Sequence, residues 1–475
     1  MRPGGSTTLG AVNGKVDEAI AALGALLGDR LSTSDSVRDL HGRDESAFPP
    51  ARPDAVAFPR STEEVAAIVA TCAEHGVPIV AFGTGSSVEG QILAVEGGVA
   101  LVTSLMDAIL RVSIEDLDAT VQPGVTRRAL EKRIGGDGAF FSVDPGADAS
   151  LGGMAATGAS GTNTVRYGTM RENVLALEVV LADGRIIRTG TRARKSSAGY
   201  DLTHLFIGSE GTLGIITELT LRLRPIPEAI SAAVCSFPTT HDAVGTAIAI
   251  VQSGVPIARC ELLDATMMRA INAHEKLEHA EAPTLFLEFH GSTAGVEEDA
   301  RYVEELAREH GGDDFAWAVR TEDRSRLWRA RHNAYFAGIG LRPGCRALTT
   351  DVCVPVSELA AAIDATIADV ADLPFPAPLL GHVADGNFHV MLLIDPDDPK
   401  DRSAAEAVYE RIVDRAIAVG GTCTGEHGIG LGKRRALGAQ SGEAVEVMRA
   451  LKHALDPADR LNPGKVLPGP QSSST

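Results

Sequence analysis

Two short segments in the second half of the sequence concentrate side chains that ligate metals. His382 and His389 flank a tight turn at residues 385–387, which can bring both imidazoles to one place, and Glu426 and His427 lie between two glycines. Two histidines and one carboxylate form a divalent metal site that leaves coordination positions open for a substrate. A lone histidine is more often a hydrogen-bonded core or surface residue, but four such residues in two glycine-punctuated segments favour a metal site. These ligand types do not separate Zn²⁺ from Mn²⁺.

A second stretch suited to binding a ligand runs from Asp144 to Gly168 and has few large side chains. Its glycines let the backbone approach a bulky partner closely, and its short polar side chains can address phosphate, ribityl or ring-edge atoms. A flexible linker is the alternative, but a linker would lack Leu151, Met154 and Tyr167. We therefore expect a cofactor cradle.

A predicted strand at residues 77–82 leads directly into a glycine loop at residues 83–91. Consecutive backbone N–H groups from Gly83 to Ser87 can form an anion-binding nest for a pyrophosphate. The loop is not a Walker loop, because no Lys-Ser/Thr pair follows, and it is not GxGxxG. An ordinary turn is the alternative, and the second small-residue stretch further along the chain favours a cofactor loop.

Length and composition indicate an ordinary soluble protein of two domains. A chain of 475 residues is too long for one core, and its formal net charge of −19 argues against nucleic acid or an anionic membrane as partner. The six cysteines are scattered without a CxxC pair, which suggests buried thiols in a reducing compartment. Neither a secretory signal nor a transmembrane segment is evident. We expect a cytoplasmic protein whose membrane contact, if any, is peripheral, at the inner face.

The hydrophobic periodicity predicts an α+β protein with four segments. Residues 1–49 read as a helical lead-in and residues 50–227 as a domain of strands, capped helices and glycine loops. Residues 228–467 alternate strands and helices, which predicts an antiparallel sheet with helices on one face, and residues 468–475 read as a flexible tail. Within the second segment, Ser61 and Glu64 predict a capping box before a helix whose C′ glycine is Gly76.

Several motifs follow one another along residues 50–467. They are Pro59–Val65, Phe82–Gly85, Asp144–Gly168 and Gly208–Ile215 in the first half, and Trp328–Arg331, Asp351–Pro355, Gly381–His389, Gly425–Gly428 and Leu461–Lys465 in the second. The motifs of the first half resemble those of the vanillyl-alcohol oxidase/p-cresol methylhydroxylase superfamily. The second half resembles the substrate domain of D-lactate dehydrogenase, the glycolate oxidase D subunit and D-2-hydroxyglutarate dehydrogenase, and the chain looks closest to the cytochrome-type D-lactate dehydrogenases.

The resemblance implies an FAD-binding domain followed by a substrate and metal-binding domain. Members with covalent flavin carry His or Cys where this chain has Ser86 and Ser87, so we expect non-covalent FAD. The expected FAD contacts are Phe82, Gly83, Thr84, Gly85, Ser86, Ser87, Gln91, Pro145, Asp148, Ser150, Gly152, Gly153, Ala156, Ser160, Gly161, Thr162, Tyr167, Gly168, Glu210, Gly211, Gly214, Ile215 and Asn462.

The expected reaction is oxidation of a D-2-hydroxy acid, with D-lactate to pyruvate as the best match. A metal on His382, His389 and Glu426 would lower the pKa of the substrate hydroxyl. His427 would accept its proton as general base, and the α-hydrogen would leave as hydride to flavin N5. Arg331 would pair the substrate carboxylate, a solvated helix charge being the alternative.

Asn387 either orients the substrate or a ligand histidine, or is only a turn residue. Thr349 and Thr350 stand where the hydroxyglutarate enzymes carry a lysine, which favours a monocarboxylate. Quinone, cytochrome, electron-transfer flavoprotein and oxygen all remain open as electron acceptor.

Three other functions compete with this interpretation. One is a transferase like alkylglycerone-phosphate synthase, which shares the FAD domain but catalyses no net oxidation of its substrate. Another is the FAD subunit of a glycolate oxidase complex, active only with partner proteins. The third is a non-catalytic flavin-binding or metal-storage protein, which the glycine cradle disfavours.

Overall fold

The computed structural model describes residues 7–318 and 320–469. The predicted tail therefore lies almost wholly outside the described residues. The first half comprises α1 (Thr7–Leu27), β1 (Leu31–Ser32), α2 (Asp35–Leu40), β2 (Ala55–Ala57), α3 (Thr62–His75), β3 (Ile79–Phe82), β4 (Val99–Val102), β5 (Ile109–Ser113), β6 (Asp118–Val121), α4 (Arg127–Ile134), β7 (Ala139–Phe140), α5 (Leu151–Thr157), α6 (Thr164–Tyr167), α7 (Met170–Asn173), β8 (Val174–Val180), β9 (Ile186–Gly190), α8 (Leu202–Phe206), β10 (Ile215–Arg222) and β11 (Arg224–Pro225).

The second half begins at residue 229. It comprises β12 (Ala229–Ser236), α9 (Thr240–Ser253), β13 (Ile257–Leu263), α10 (Ala265–Glu275), β14 (Thr284–Gly291), α11 (Thr293–Glu309), β15 (Asp313–Ala318), α12 (Thr321–His332), α13 (Ala334–Ile339), β16 (Arg346–Thr349), β17 (Val352–Cys353), α14 (Leu359–Val370), β18 (Leu379–Gly381), β19 (Asn387–Ile394), α15 (Pro399–Ala418), α16 (Arg434–Ser441) and α17 (Ala444–Leu455).

The first half is built on two main sheets. One is four-stranded in the order β1-β2-β4-β3, and the other is five-stranded and antiparallel in the order β5-β6-β10-β8-β9. In the first sheet β3 runs parallel to β4. β3 ends at Phe82, and the glycine loop predicted from the sequence follows directly. This loop therefore begins at a rigid strand end.

Helix α3 shows how local sequence sets an element. The Ser61 side chain accepts a hydrogen bond from the backbone N–H of Glu64, and Gly76 closes the helix with φ of 69°, as predicted. The other half of the capping box does not form. The Glu64 carboxylate instead accepts from the Arg60 N–H and from the Arg30 guanidinium, because an ionised donor makes the stronger bond.

The second half forms one large antiparallel sheet with strand order β15-β12-β14-β13-β18-β19-β16, to which β17 adds by pairing with β19. Helices cover both faces, whereas the sequence analysis placed them on one. In β14, Leu285, Leu287 and Phe289 pack with α9 and α11, while Phe286 packs with α10 on the other side. Both faces of the sheet are apolar, so both must be covered.

The chain finally returns to the first half. After α17, Leu461 bridges to Ile79 of β3, and the Asn462 side chain donates to the carbonyls of Gln91 and Glu210. The Lys465 ammonium donates to the carbonyl of Leu93. The C-terminal residues thus stabilise the glycine loop, although most of the chain separates the two in sequence.

Two smaller observations complete the fold. None of the six cysteines, all of which lie among the described residues, forms a disulfide, and Cys345 and Cys353 are half-buried rather than buried. Over the residues that the structure describes, no helix combines the length and apolarity that crossing a membrane requires.

Candidate active site

A cavity of about 360 Å³ lies between the two halves, with both glycine-rich stretches on its wall. All but three of the residues predicted to contact FAD line it. The exceptions have other partners. The Asp148 carboxylate accepts from the Arg128 N–H, the Tyr167 hydroxyl is hydrogen-bonded to His290, and Gly168 ends α6 with φ of 80°.

Glycines in the cradle allow neighbouring segments of the protein itself to pack closely against its backbone. A Cβ at Gly152 would lie 2.4 Å from Cβ of Pro123, and one at Gly161 would lie 2.6 Å from the carbonyl carbon of Asp144. The hydroxyl of Ser150, on the same wall, is buried without a hydrogen-bond partner among the described residues. An unsatisfied buried hydroxyl in a side-chain-poor wall fits the polar atoms of a bound nucleotide cofactor.

The predicted metal-binding side chains converge on the wall of this cavity. Glu426 Oε1 lies 3.2 Å from His382 Nε2, 3.3 Å from His389 Nε2 and 4.0 Å from His427 Nε2. The rings of His389 and His427 stack, with centroids 5.1 Å apart. Glu426 Oε2 accepts a hydrogen bond of 2.6 Å from Ser160 of the cradle. Imidazole nitrogens grouped around a carboxylate oxygen are the donor set that a divalent transition metal prefers.

Strand pairing positions two of these histidines. His382 follows β18 and His389 lies in β19, and Leu380 is the cross-strand partner of His389. His382 is oriented by Glu261 of β13, whose Oε1 lies 2.7 Å from His382 Nδ1. Such a carboxylate behind an imidazole fixes the ring orientation of a metal ligand. Glu261 was missed in the sequence because nothing around it in β13 signals a functional residue.

Burial and neighbouring charges shift the pKa values of these groups. Burial alone would lower the pKa of His382, but the carboxylates of Glu261 and Glu426 outweigh it and raise that pKa well above its usual value. Burial would raise the pKa of Glu426, but His382 and His389 bring it well below the usual range. Burial lowers the pKa of His427 to about 4, against the attraction of Asp351. His427 is therefore a neutral imidazole at ordinary pH.

Asp351 belongs to the same group of side chains. It places a carboxylate oxygen, with ligand atoms of His389, Glu426 and His427, in a set whose atoms all lie within 4.8 Å of one another. However, Asp351 Oδ2 already accepts from the backbone N–H groups of residues 425–427. A carboxylate so occupied serves the loop that carries Glu426 better than it serves a metal.

The two remaining predicted residues occupy different positions. Arg331, in the last turn of α12, lines the cavity and donates from Nη2 to Glu261 at 2.5 Å, while its Nε has no partner among the described residues. Asn387 does not line the cavity. Its Nδ2 donates to Asp351 Oδ1 at 3.0 Å and to the Val352 carbonyl at 2.8 Å, so its side chain contacts the group that holds the loop.

Comparison with protein families agrees with this architecture. The model of an FAD binding domain matches residues 53–190, and that of the C-terminal domain of FAD linked oxidases matches residues 226–466. The chain is an enzyme of the FAD-linked oxidase family, and it carries an FAD-binding domain. The resemblance seen in the sequence motifs is confirmed.

Curated relatives extend over most of the chain. A probable mitochondrial D-lactate dehydrogenase of Danio rerio is 52% identical, covering 98% of this chain and 94% of the relative. The mitochondrial D-lactate dehydrogenase [cytochrome] of Arabidopsis thaliana is 45% identical, covering 95% of this chain and 80% of the relative. Glycolate oxidase subunit GlcD of Bacillus subtilis is 36% identical, covering 87% and 89%.

Solved structures confirm the two-domain fold class. p-Cresol methylhydroxylase with substrate bound superposes with a TM-score of 0.78 at 18% identity, covering 96% of this chain and 97% of that one. An alkyldihydroxyacetonephosphate synthase superposes with a TM-score of 0.72 at 21% identity, covering 94% and 85%. At these identities the likeness concerns the fold alone.

The cradle geometry predicts the effect of adding one methyl group. Gly152→Ala would force the new Cβ against the rigid Pro123 ring, so the start of α5 must move and the bound flavin should fall to a small fraction of the parent's. The ratio of absorbance near 450 nm to that at 280 nm measures this in purified protein. Gly136→Ala, where a Cβ meets nothing within 4 Å, should retain its flavin. Full flavin occupancy in Gly152→Ala would contradict the proposed cradle.

Proposed function

We propose that this enzyme oxidises a D-2-hydroxy acid, with D-lactate to pyruvate as the best match. It would use non-covalent FAD and a divalent cation, Zn²⁺ or Mn²⁺, on His382, His389 and Glu426. The observation that carries the proposal is the convergence of three imidazole Nε2 atoms on Glu426 Oε1 at the wall of the flavin cavity. The relatives named D-lactate dehydrogenase support the substrate.

When bound, FAD supplies a two-electron acceptor and the divalent cation supplies a Lewis acid. His427 accepts the proton of the substrate hydroxyl. Its imidazole lines the cavity, and it is neutral at ordinary pH because burial lowers its pKa to about 4. His427 Nδ1 is buried and has no partner among the described residues. The ring is thus held by burial and stacking, and its Nε2 faces the ligand carboxylate.

Arg331 binds the substrate carboxylate. Its Nη2 is tied to Glu261, which also orients His382, so one buried carboxylate sets both the guanidinium and a metal ligand. Arg331 lines the cavity, and its Nε–H has no acceptor among the described residues. A substrate carboxylate would satisfy it through a charge-assisted bond.

The cavity wall favours a substrate with one carboxylate. Besides Arg331 and His332 it presents Tyr335, Thr349, Leu380 and Met391, and no lysine stands among the described lining residues. Burial lowers the pKa of His332 to about 4, so its imidazole is neutral. A second carboxylate would lose its hydration there without gaining a cationic partner. Lactate carries a single carboxylate and fits this wall, whereas a dicarboxylic hydroxy acid carries a second carboxylate and does not.

Acceptor and compartment remain predictions. Relatives from plants and yeast carry "cytochrome" in their names, which makes a cytochrome the first acceptor to test, ahead of quinones and electron-transfer flavoprotein. Those relatives are also named as mitochondrial, whereas a cytoplasmic location was predicted from the sequence. Fractionation of the source cells would separate the two.

Anaerobic substrate mixing tests the reaction. D-lactate should bleach the flavin absorbance near 450 nm within one turnover, because the hydride has no other destination, and L-lactate should leave it unchanged. A glycolate oxidase subunit, which the GlcD relatives make the second candidate, would be bleached faster by glycolate, and its purified chain would need partners to reduce an artificial dye. A transferase would show no net bleaching with any of these acids, and that result would overturn the proposal.

Metal removal tests the cation. Dialysis against a chelator should abolish D-lactate oxidation while leaving the bound FAD in place, since the proposed ligands lie beyond the cradle. Zn²⁺ or Mn²⁺ should restore the activity, whereas Mg²⁺ should do so poorly because it prefers oxygen ligands. Activity indifferent to chelation would exclude the metal from the mechanism.

Substitution tests the base. His427→Asn should lower kcat by about 10²–10⁴-fold with KM changed far less, because the lost proton acceptor acts in the chemical step. The exposed His453→Asn in α17 is the control and should match the parent in steady-state kinetics. An unaltered kcat in His427→Asn would refute the assignment.

A further inference from the structure

Lys433 is a buried lysine outside the cavity. Its side chain is 0% exposed, and its Nζ lies 3.0 Å from Glu89 Oε1 and 3.3 Å from Asp351 Oδ2. The same Nζ donates to Thr424 Oγ1 at 3.2 Å. A lysine is almost never fully buried without partners, and here its charge is balanced by two carboxylates from different halves of the molecule.

One of these carboxylates shapes the loop that presents Glu426. Asp351 Oδ2 accepts from the backbone N–H groups of Gly425, Glu426 and His427 at 3.0, 3.0 and 2.8 Å, and from the Thr424 hydroxyl at 2.7 Å. The loop closes so tightly that a Cβ at Gly425 would lie 2.3 Å from the Asn387 amide nitrogen. The positions of Glu426 and His427 therefore depend on Asp351 remaining a buried, ionised acceptor.

The other carboxylate, that of Glu89, belongs to the glycine loop at residues 83–91. Glu89 precedes Gln91, whose side-chain amide donates to the His427 carbonyl at 2.6 Å. The Glu89 carbonyl accepts from the Leu431 N–H at 2.8 Å. Lys433 thus joins the two segments that meet at the metal centre, and its side chain is the cation nearest to Asp351 Oδ2 among the described lysines and arginines.

We propose that Lys433 is a positioning residue of the metal centre. By supplying the buried countercharge to Asp351, it keeps residues 424–427 in the conformation in which Glu426 faces His382 and His389. Lys433 itself touches neither the cavity nor a proposed ligand side chain. The inference rests on the metal site of the proposed function and concerns how that site is held.

The first test is Mn²⁺ affinity, measured by titration calorimetry on metal-free, FAD-loaded protein. Lys433→Met keeps the length of the side chain and removes the charge, and it should raise the Kd for Mn²⁺ by about 10–100-fold, the usual effect of losing an outer partner of a metal site. Lys452→Met is the matched control. Lys452 is also largely buried and paired with carboxylates, but it lies away from Asp351, so its variant should bind Mn²⁺ within about twofold of the parent.

A second readout reports the loop directly. Amide hydrogen exchange at residues 425–427 should accelerate in Lys433→Met and stay unchanged in Lys452→Met, because these N–H groups donate to Asp351. The double variant Glu89→Gln/Lys433→Met removes the unpaired Glu89 charge. It should regain thermal stability but not Mn²⁺ affinity, which separates positioning of the loop from general stability.

The outcomes are distinguishable. A parent that binds neither Mn²⁺ nor Zn²⁺ overturns the proposed metal site and this inference with it. A parent that binds Mn²⁺, with Lys433→Met binding equally tightly and exchanging residues 425–427 equally slowly, overturns the role of Lys433 alone. Should Lys433→Met fail to fold, Thr424→Val decides, because it removes one hydroxyl shared by Asp351 and Lys433. It should weaken Mn²⁺ binding several-fold, and unchanged binding would refute the inference.

Discussion

The buried carboxylate of Asp351 is the interaction on which the site depends. It lies on the short segment between β16 and β17 and accepts three consecutive backbone N–H groups from a loop that follows α15. Leaving such a charge uncompensated in the interior costs about 3–5 kcal/mol. Lys433, Asn387 and the loop amides together supply that compensation. The conformation of the loop and the balance of the buried charge therefore depend on each other.

The two halves of the molecule are joined by hydrogen bonds across the cavity. Ser160 and Gln91 line the cavity, yet they also donate to Glu426 and to the His427 carbonyl. Glu210 likewise lines it, and its carboxylate accepts from the backbone N–H groups of Ile429 and Gly430. Burial raises the pKa of Glu210 to about 7. The wall of the cavity and the loop that carries Glu426 are therefore coupled and cannot move independently.

Local features of the sequence predicted local features of the structure. The Ser61 cap, the buried face of α3 and the Gly76 terminus follow from helical periodicity and capping chemistry, which act within a few residues. Helices on both faces of the large sheet were not predicted. Strand β14 is apolar at consecutive positions, and a short apolar run does not by itself reveal how many faces are covered.

The sequence alone determined the types of donor available: two histidines around one turn, a carboxylate beside a third histidine, and two stretches without bulky side chains. Only the tertiary structure decided which atoms meet. The His382 ring is hydrogen-bonded to Glu261, which lies 121 residues earlier in the chain. Ser160 donates a hydrogen bond to Glu426, 266 residues later. The buried Lys433 pairs with the carboxylates of Glu89 and Asp351. These contacts depend on the order of the strands in the sheets and on the return of the C-terminal residues to the first half, and the spacing of residues in the sequence does not encode either. The chemistry of each side chain, in contrast, is a local property that the sequence gives directly.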